Sequence, residues 1–595
     1  MASIDDIFKG AGIPSKRKLD PVRDPTEIYK SAKLASHTRR HQPQVEDSPD
    51  VEAGPAPPPD EDPEDPEEDY GPSLPDDPET GDDAEGRFFG GGITAQEAEI
   101  LDFVNDSSTT PATAPVDDKI DTTWLKKTAL SFEKKITRNA ELRARFENEP
   151  AKFIDSEADL DSAIKALSIL SEHADLYPEF ARLGSAASLV SLLAHENTDI
   201  AIDAVEIIGE LTDEDVQATE EQWGGLVDAL LEADLLGLLV SNFGRLDETQ
   251  EADRAGVYHA LGVVENLCSR SDTAETVGKD EELLRWLLER AGKSEKPVSQ
   301  NKQYAAEILA ILVQSSAANR RRLAGLNAVD EMLQLVAAYR KRDPEKGGDE
   351  EEYMENLFEA LTCIVDEAEG KVKFVDAEGV ELCLIMLKEG KLSKAASLRL
   401  LDHAAGGPSG AGVCQKLVDA GGLKTIFTMF MKKHDAQTTE HLVGIFASML
   451  RLLPADSAER IRTLAKFVEK DYEKTEKLVK LRREYGARVG AVDAQIQQEQ
   501  KGMDDDEKEE AADDWFSRRL DAGLFCLQTI DVILAWLVAE DGGAKKKIQE
   551  LLADRDETFA VIKATIQEQI DGIETESEEG KDTREMLSTL AQFLA

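Results

Sequence analysis

Residues 419–453 read DAGGLKTIFTMFMKKHDAQTTEHLVGIFASMLRLL. A glycine pair opens a short apolar run, Leu423, Ile426 and Phe427, at the i, i+3, i+4 spacing of one helix face. A longer stripe follows, Leu442, Ile445, Phe446, Met449, Leu450 and Leu453, covering three helical turns. Neither helix can bury its stripe alone, so the unit needs neighbours. The chain supplies them. The short signature recurs as Leu189/Leu192/Leu193, Leu235/Leu238/Leu239, Leu283/Trp286/Leu287, Val329/Met332/Leu333 and Val380/Cys383/Leu384, with successive starts 46, 48, 46, 51 and 43 residues apart. Longer stripes accompany it, such as Ile200, Ala204, Ile207, Ile208, Leu211, then Val257, Ala260, Leu261, Val264, Leu267, Cys268, and again Met354, Leu357, Phe358, Leu361, Ile364, Val365.

A short helix after a small-residue turn, then a longer one, at a period in the 40s, is the pattern of an armadillo or HEAT solenoid. Glycine at the bend in RLGSAASLVSLL (182–193), LAGLNAVDEMLQLV (323–336) and DAEGVELCLIML (376–387) suits the sharp turn. The expected fold is therefore all-α, an armadillo/HEAT-like superhelical solenoid over residues 176–456. Residues 118–175, with Trp124, Leu125, Phe132 and Ile136 on one stripe, read as the N-terminal helical cap. Residues 457–595 read as a C-terminal helical domain, opened by a charged helix or helix pair over 460–500. Within it WFSRRLDAGLFCLQTIDVILAWL (515–537) reads as one buried core helix, and the acidic run near 503–514 as an exposed loop.

The flank is different in kind. Residues 41–86 hold eighteen Asp/Glu, no Lys/Arg and eleven of the chain's 22 prolines. Such a segment buries too little apolar surface to offset its ordering entropy, so residues 43–117 are expected to be disordered. Residues 1–42 form a basic tail in which Lys16, Arg17 and Lys18 are the candidate nuclear-localisation signal, read by an importin. Over the 595 residues Asp+Glu 121 outweigh Lys+Arg 69, for a net charge of −52. That balance argues against direct nucleic-acid binding and asks for a basic partner. No apolar run has the length of a membrane span, and no hydrophobic signal core opens the chain. The five cysteines, Cys268, Cys363, Cys383, Cys414 and Cys526, contain no C-x-x-C pair and read as reduced core residues.

Catalytic and cofactor patterns fail. GGPSGAG (406–412) is followed by Val413 where a phosphate loop needs Lys-Ser/Thr. His37 and His41 have metal-ligand spacing but no helix to fix them. The reading is of a non-enzyme with no cofactor and no metal. The candidate peptide-binding groove is the polar face of the longer helices: Asp203, Glu206, Glu210, Glu265, Asn266, Glu307, Glu355, Asn356, Asp402 and His403. Carboxylates there would select Lys/Arg side chains, and amides would pair with a peptide backbone.

Seven phrases in one order, LSFEKKITRNAELRARF (130–146), SEADLDSAIKAL (156–167), LLAHENTDIAIDAVEIIGELTDED (192–215), MENLFEALTCI (354–364), LRLLDHAAGGPSG (398–410), GLKTIFTMFMK (422–432) and RRLDAGLFCLQTI (518–530), resemble the beta-catenin-like protein 1 family. The resemblance spans about four fifths of the chain and does not extend to residues 1–117. It implies a nuclear, non-catalytic adaptor of the spliceosome, attached to the NineTeen-type complex and binding basic localisation-type segments of splicing proteins. Two other classes are compatible with a solenoid: a transport receptor and an armadillo-type Hsp70 cofactor. The tandem W-x-x-x-N arrays of importin-α are absent, since Trp223 is followed by Gly-Gly-Leu-Val and Trp286 by Leu-Leu-Glu-Arg. Self-association through the apolar C-terminal helices is a further expectation.

Overall fold

A computed structural model describes residues 119–573 and 577–594. The expectations for the tail, including Lys16, Arg17, Lys18 and the His37/His41 pair, lie outside the described residues. No strand occurs among those described.

Helices α1 (Thr122–Arg145) and α2 (Ile154–Lys165) come first, with Leu125 and Phe132 fully buried. Six units of three helices follow. They are α3 (Tyr177–Arg182), α4 (Ser185–Ser191) and α5 (Thr198–Thr212); α6 (Glu220–Glu232), α7 (Leu235–Arg245) and α8 (Glu251–Leu267); and α9 (Ser271–Val277), α10 (Glu281–Gly292) and α11 (Gln300–Ser315). The second three are α12 (Ala317–Gly325), α13 (Ala328–Val336) and α14 (Asp349–Ile364); α15 (Ala368–Asp376), α16 (Gly379–Glu389) and α17 (Ser393–Ala405); and α18 (Ala411–Asp419), α19 (Gly422–Phe430) and α20 (Ala436–Leu452). The recurrent signatures mark the second and third helices of each unit. The first helices carry no recurrent signature, and α3 with 6 residues and α9 with 7 are under two turns each. Three helices per unit make the fold armadillo-like rather than a stack of two-helix HEAT units.

Like helices stack on like. The third helices pack in order, α5 on α8, then α11, α14, α17 and α20, and α2 occupies the place ahead of α5. Second helices α4, α7, α10 and α13 form a parallel row, as do first helices α12, α15 and α18. Their inward faces merge into one continuous apolar core.

The bend before the second helix uses a left-handed residue in five of the six units: Gly184 (φ 77°), Asp234 (66°), Asn327 (69°), Glu378 (58°) and Gly421 (72°). Glycine takes the left-handed position at two of these bends, Gly184 and Gly421, while in 323–336 it is Asn327. In 376–387 the left-handed residue is Glu378. Gly379 is required there by packing, since a Cβ on it would lie 2.3 Å from the Phe374 ring.

The C-terminal helices are α21 (Ala458–Glu499), α22 (Asp505–Asp521), α23 (Leu524–Glu540), α24 (Gly542–Ala553), α25 (Phe559–Asp571) and α26 (Glu578–Phe593). Non-helical backbone at Glu469–Tyr472 breaks α21, so residues 460–500 are a helix pair. Two expectations are corrected. The acidic run near 503–514 is no loop; Asp504 caps α22, accepting from the Glu507 N–H at 2.9 Å while its own N–H donates to the Glu507 carboxylate at 3.0 Å. Acidic residues at that end complement the helix dipole, which is why the run is helical. The stretch 515–537 is two helices, bent by 63° at Gly523, whose φ is 97° and whose missing Cβ makes room for Tyr485. Among the described residues no single helix is long and apolar enough to cross a membrane. None of the five cysteines forms a disulfide and all are buried, and burial pushes the Cys363 and Cys414 thiols up to about 12, so they remain protonated.

Candidate peptide-binding face

The third-helix row carries carboxylates at intervals dictated by the helix period. On α5, Asp199, Asp203, Glu206 and Glu210 fall at steps of four, three and four residues and share one face. On α14, Glu351, Glu355 and Glu359 do the same. Between them α11 is buried along residues 301–313 except for the half-buried Ile311.

Five of the ten groove candidates are closed off from solvent: Glu265 (5% exposed), Glu307 (3%), Asn356 (6%), Asp402 (6%) and His403 (7%). Four of these have identified bonds inside the fold. The Tyr304 hydroxyl of α11 donates to Glu265 of α8, and Gln303 Nε2 donates to Glu307 at 2.9 Å. His441 of α20 donates through Nδ1 to Asp402 of α17 at 3.0 Å. His403 Nδ1 meets Asp366 at 3.2 Å, and its backbone carbonyl accepts from Lys371 Nζ at 2.7 Å. The half-buried Asn266 donates to the Gly209 carbonyl of α5 at 3.0 Å. These side chains pin one third helix to the next, or fix the row to its surroundings.

Of the remaining candidates Glu206, Glu210 and Glu355 are reachable, and Asp203 is engaged by α2. Glu206 is half-exposed and pairs with His259 of α8 at 3.0 Å, while Glu210 is exposed. Asp203 sits beside Asp161 and 3.4 Å from Lys165 of α2. Burial first, then Asp161, pushes its carboxyl up to about 7. Glu355 stands at the mouth of a cleft of about 280 Å³ between α14, α17 and α20. Glu351, Glu355 and the buried Glu359 line one side, Arg399, Gln437 and His441 the others, and Leu392, Ala395 and Ala396 supply apolar surface. Partial burial, then Glu351, raises the Glu355 pKa from its ordinary value. Gln314 of α11 donates to Glu359 at 2.7 Å. The cleft offers carboxylates beside an apolar floor, which suits the charged head and methylene stem of Lys or Arg.

Sequence reasoning found Glu355 but missed Glu351, while Glu359 of the same row is closed off like Glu265. The four-residue spacing in EEEYMENLFE (350–359) was the available signal. Among the described residues no group of His, Cys, Asp and Glu has the geometry to hold a metal.

The family described as "Catenin-beta-like, Arm-motif containing nuclear" matches residues 98–567. A beta-catenin-like protein 1 homolog of Schizosaccharomyces pombe is 38% identical over 474 residues, covering 80% of this chain and 82% of that protein. Beta-catenin-like protein 1 of Homo sapiens is 36% identical over 472 residues, covering 76% and 82%. An engineered protein of known crystal structure aligns with 73% of this chain at 15% identity and a TM-score of 0.43.

Proposed function

We propose that this chain, which belongs to the catenin-beta-like family of Arm-motif containing nuclear proteins, works as a non-catalytic scaffold in pre-mRNA splicing. In this reading it joins the NineTeen-type complex and holds basic segments of splicing proteins against its third-helix row. The observation that carries the binding mode is the pair of open carboxylates Glu351 and Glu355 beside the apolar surface of Leu392. The net charge of −52 adds long-range attraction for a basic segment. An importin reading Lys16, Arg17 and Lys18 would bring the chain to the nucleus.

The geometry also shapes the ligand. Open carboxylates occur on α5 and α14, three helix steps apart, and at 8–10 Å per step the two patches are separated by roughly 30 Å. An extended peptide covers that distance with about nine or ten residues. The preferred segment therefore carries two basic clusters about that far apart, rather than one continuous run.

Isothermal titration of the full chain with a bipartite Lys/Arg peptide tests the reading. Binding should weaken steeply with added salt. Glu351→Gln with Glu355→Gln should lower affinity roughly tenfold, the loss of two charge-assisted contacts. Affinity indifferent to both salt and the double substitution would exclude this face as the site.

A further inference from the structure

The chain carries a surface of the opposite sign. A cleft of about 440 Å³ is lined by Leu387 and Lys388 of α16, Lys394 of α17, and Gly421, Lys424, Thr425, Thr428, Met429, Lys432 and His434 at or near α19. No carboxylate lines it, in a molecule with 121 Asp and Glu against 69 Lys and Arg. None of Lys388, Lys394, Lys424 and Lys432 forms an ion pair among the described residues. The acids nearest along α16 are engaged elsewhere, Glu381 with Lys416 at 2.6 Å and Glu389 with Lys341 at 3.4 Å. Asp435, beside His434, caps α20 by accepting from the Thr438 N–H at 2.8 Å.

Helix ends account for only part of this cluster. Lys388 lies in the last turn of α16 and Lys432 just past α19, where cations complement the helix dipole. Lys394 and Lys424 lie in the first turns of α17 and α19, where a cation opposes it. Other first turns can carry acids instead, as in Asp349, Glu350, Glu351 and Glu352 of α14. Two lysines set against their own helix dipoles, facing a cleft without a counter-charge, fit an anionic ligand that offsets both.

We propose that this cleft is a second docking site, which takes a short Asp/Glu-rich peptide segment of a partner protein. Its lysines would meet the carboxylates, the Thr425 and Thr428 hydroxyls would add hydrogen bonds, and Leu387 and Met429 would accept an apolar neighbour. A nucleic acid fits less well. The lining has no aromatic ring but the His434 imidazole on which a base could stack, and a continuous polyanion would be repelled by the rest of the molecule. The basic-segment reading concerns the third-helix row, so either site can fail without the other.

The test is fluorescence anisotropy of the full chain with a fluorescein-labelled ten-residue Asp/Glu peptide and, separately, a labelled single-stranded RNA of matched charge. Saturable peptide binding is expected, weakened about tenfold by Lys394→Ala with Lys424→Ala. Binding of the bipartite basic peptide should be unchanged in that variant. Thermal melting should be no lower than in the parent, since the substitution removes two cations from helix N-termini. Absence of saturable peptide binding, or binding insensitive to the two lysines, overturns the proposal. Tighter, lysine-dependent binding of the RNA also overturns it, in favour of a nucleic-acid site.

Discussion

Asp203 is the candidate residue whose surroundings most change its chemistry. It was chosen from sequence as an open groove acid, and the structure instead places it against Asp161 and Lys165 with its carboxyl pushed up to about 7. The folded chain therefore keeps a proton that the unfolded chain releases near the ordinary value of 3.8. Between those values the native state binds more protons, so this group's stabilising contribution is complete at low pH and is lost as pH rises through 7. Asp161, lowered by its bond to Asp203, acts in the opposite sense and at lower pH. Asp203→Asn should thus gain on the parent by about 1–3 kcal/mol from about pH 5 to about pH 8. Urea denaturation across that range measures it, and a constant difference would show that Asp203 titrates normally. The sequence supplied the charge of this residue; its proton affinity came from α2 packing on α5, a contact between distant segments.

At the scale of the element, a stripe was readable where it recurred at a fixed period, and the first helices, with no recurring signature, were not. Four third helices, α5, α8, α14 and α20, declared themselves through stripes such as Leu357, Phe358 and Leu361, while α3 and α9 offered too few residues to show a period. Buried asparagines then tie repeat to repeat. Asn319 of α12, fully buried, donates from Nδ2 to the Ala274 carbonyl of α9 at 2.9 Å and to the Leu312 carbonyl of α11 at 3.1 Å. Asn242 of α7 donates to the Leu193 carbonyl of the preceding unit at 2.9 Å. Removing such an amide strands buried carbonyls, so Asn319→Ala should cost about 2–3 kcal/mol. A drop in the urea midpoint at unchanged slope would register that loss. An unaltered midpoint would mean that water replaces the amide. An Asn in a polar stretch reads as a surface residue, and only the neighbouring repeat's carbonyl reveals its role.

Across the whole molecule, the junction between the repeats and the C-terminal helices rests on an aromatic cluster. Phe467 of α21 meets Phe427 of α19 at 4.9 Å and Phe446 of α20 at 5.4 Å between ring centroids. Farther along, Arg482 Nε of α21 donates to Asp531 of α23 at 2.7 Å, and burial pushes that fully enclosed carboxyl up to about 7. In a stacked array stability is close to a sum of nearest-neighbour terms, so one weakened junction loosens what lies beyond it. Phe467→Ala is expected to cost about 3–5 kcal/mol. Hydrogen exchange should show protection lost in α21 to α26 before α5 to α17. Uniform loss along the chain would instead mark the molecule as a single cooperative unit.

The sequence by itself determined the helical class, the repeat, the stripes that face the core and the acidity of the surface, because each is written in local spacing and composition. It could not say which carboxylates stay open. That depends on how closely successive third helices approach, which closed Glu265, Glu307 and Asp402 into bonds between and within helices and left Glu206, Glu210 and Glu355 reachable. Nor could it gather Lys388, Lys394, Lys424 and Lys432 from three helices around one cleft. Solvation and pairing of a charge are set by neighbours distant in the chain, and only the tertiary structure brings those neighbours together.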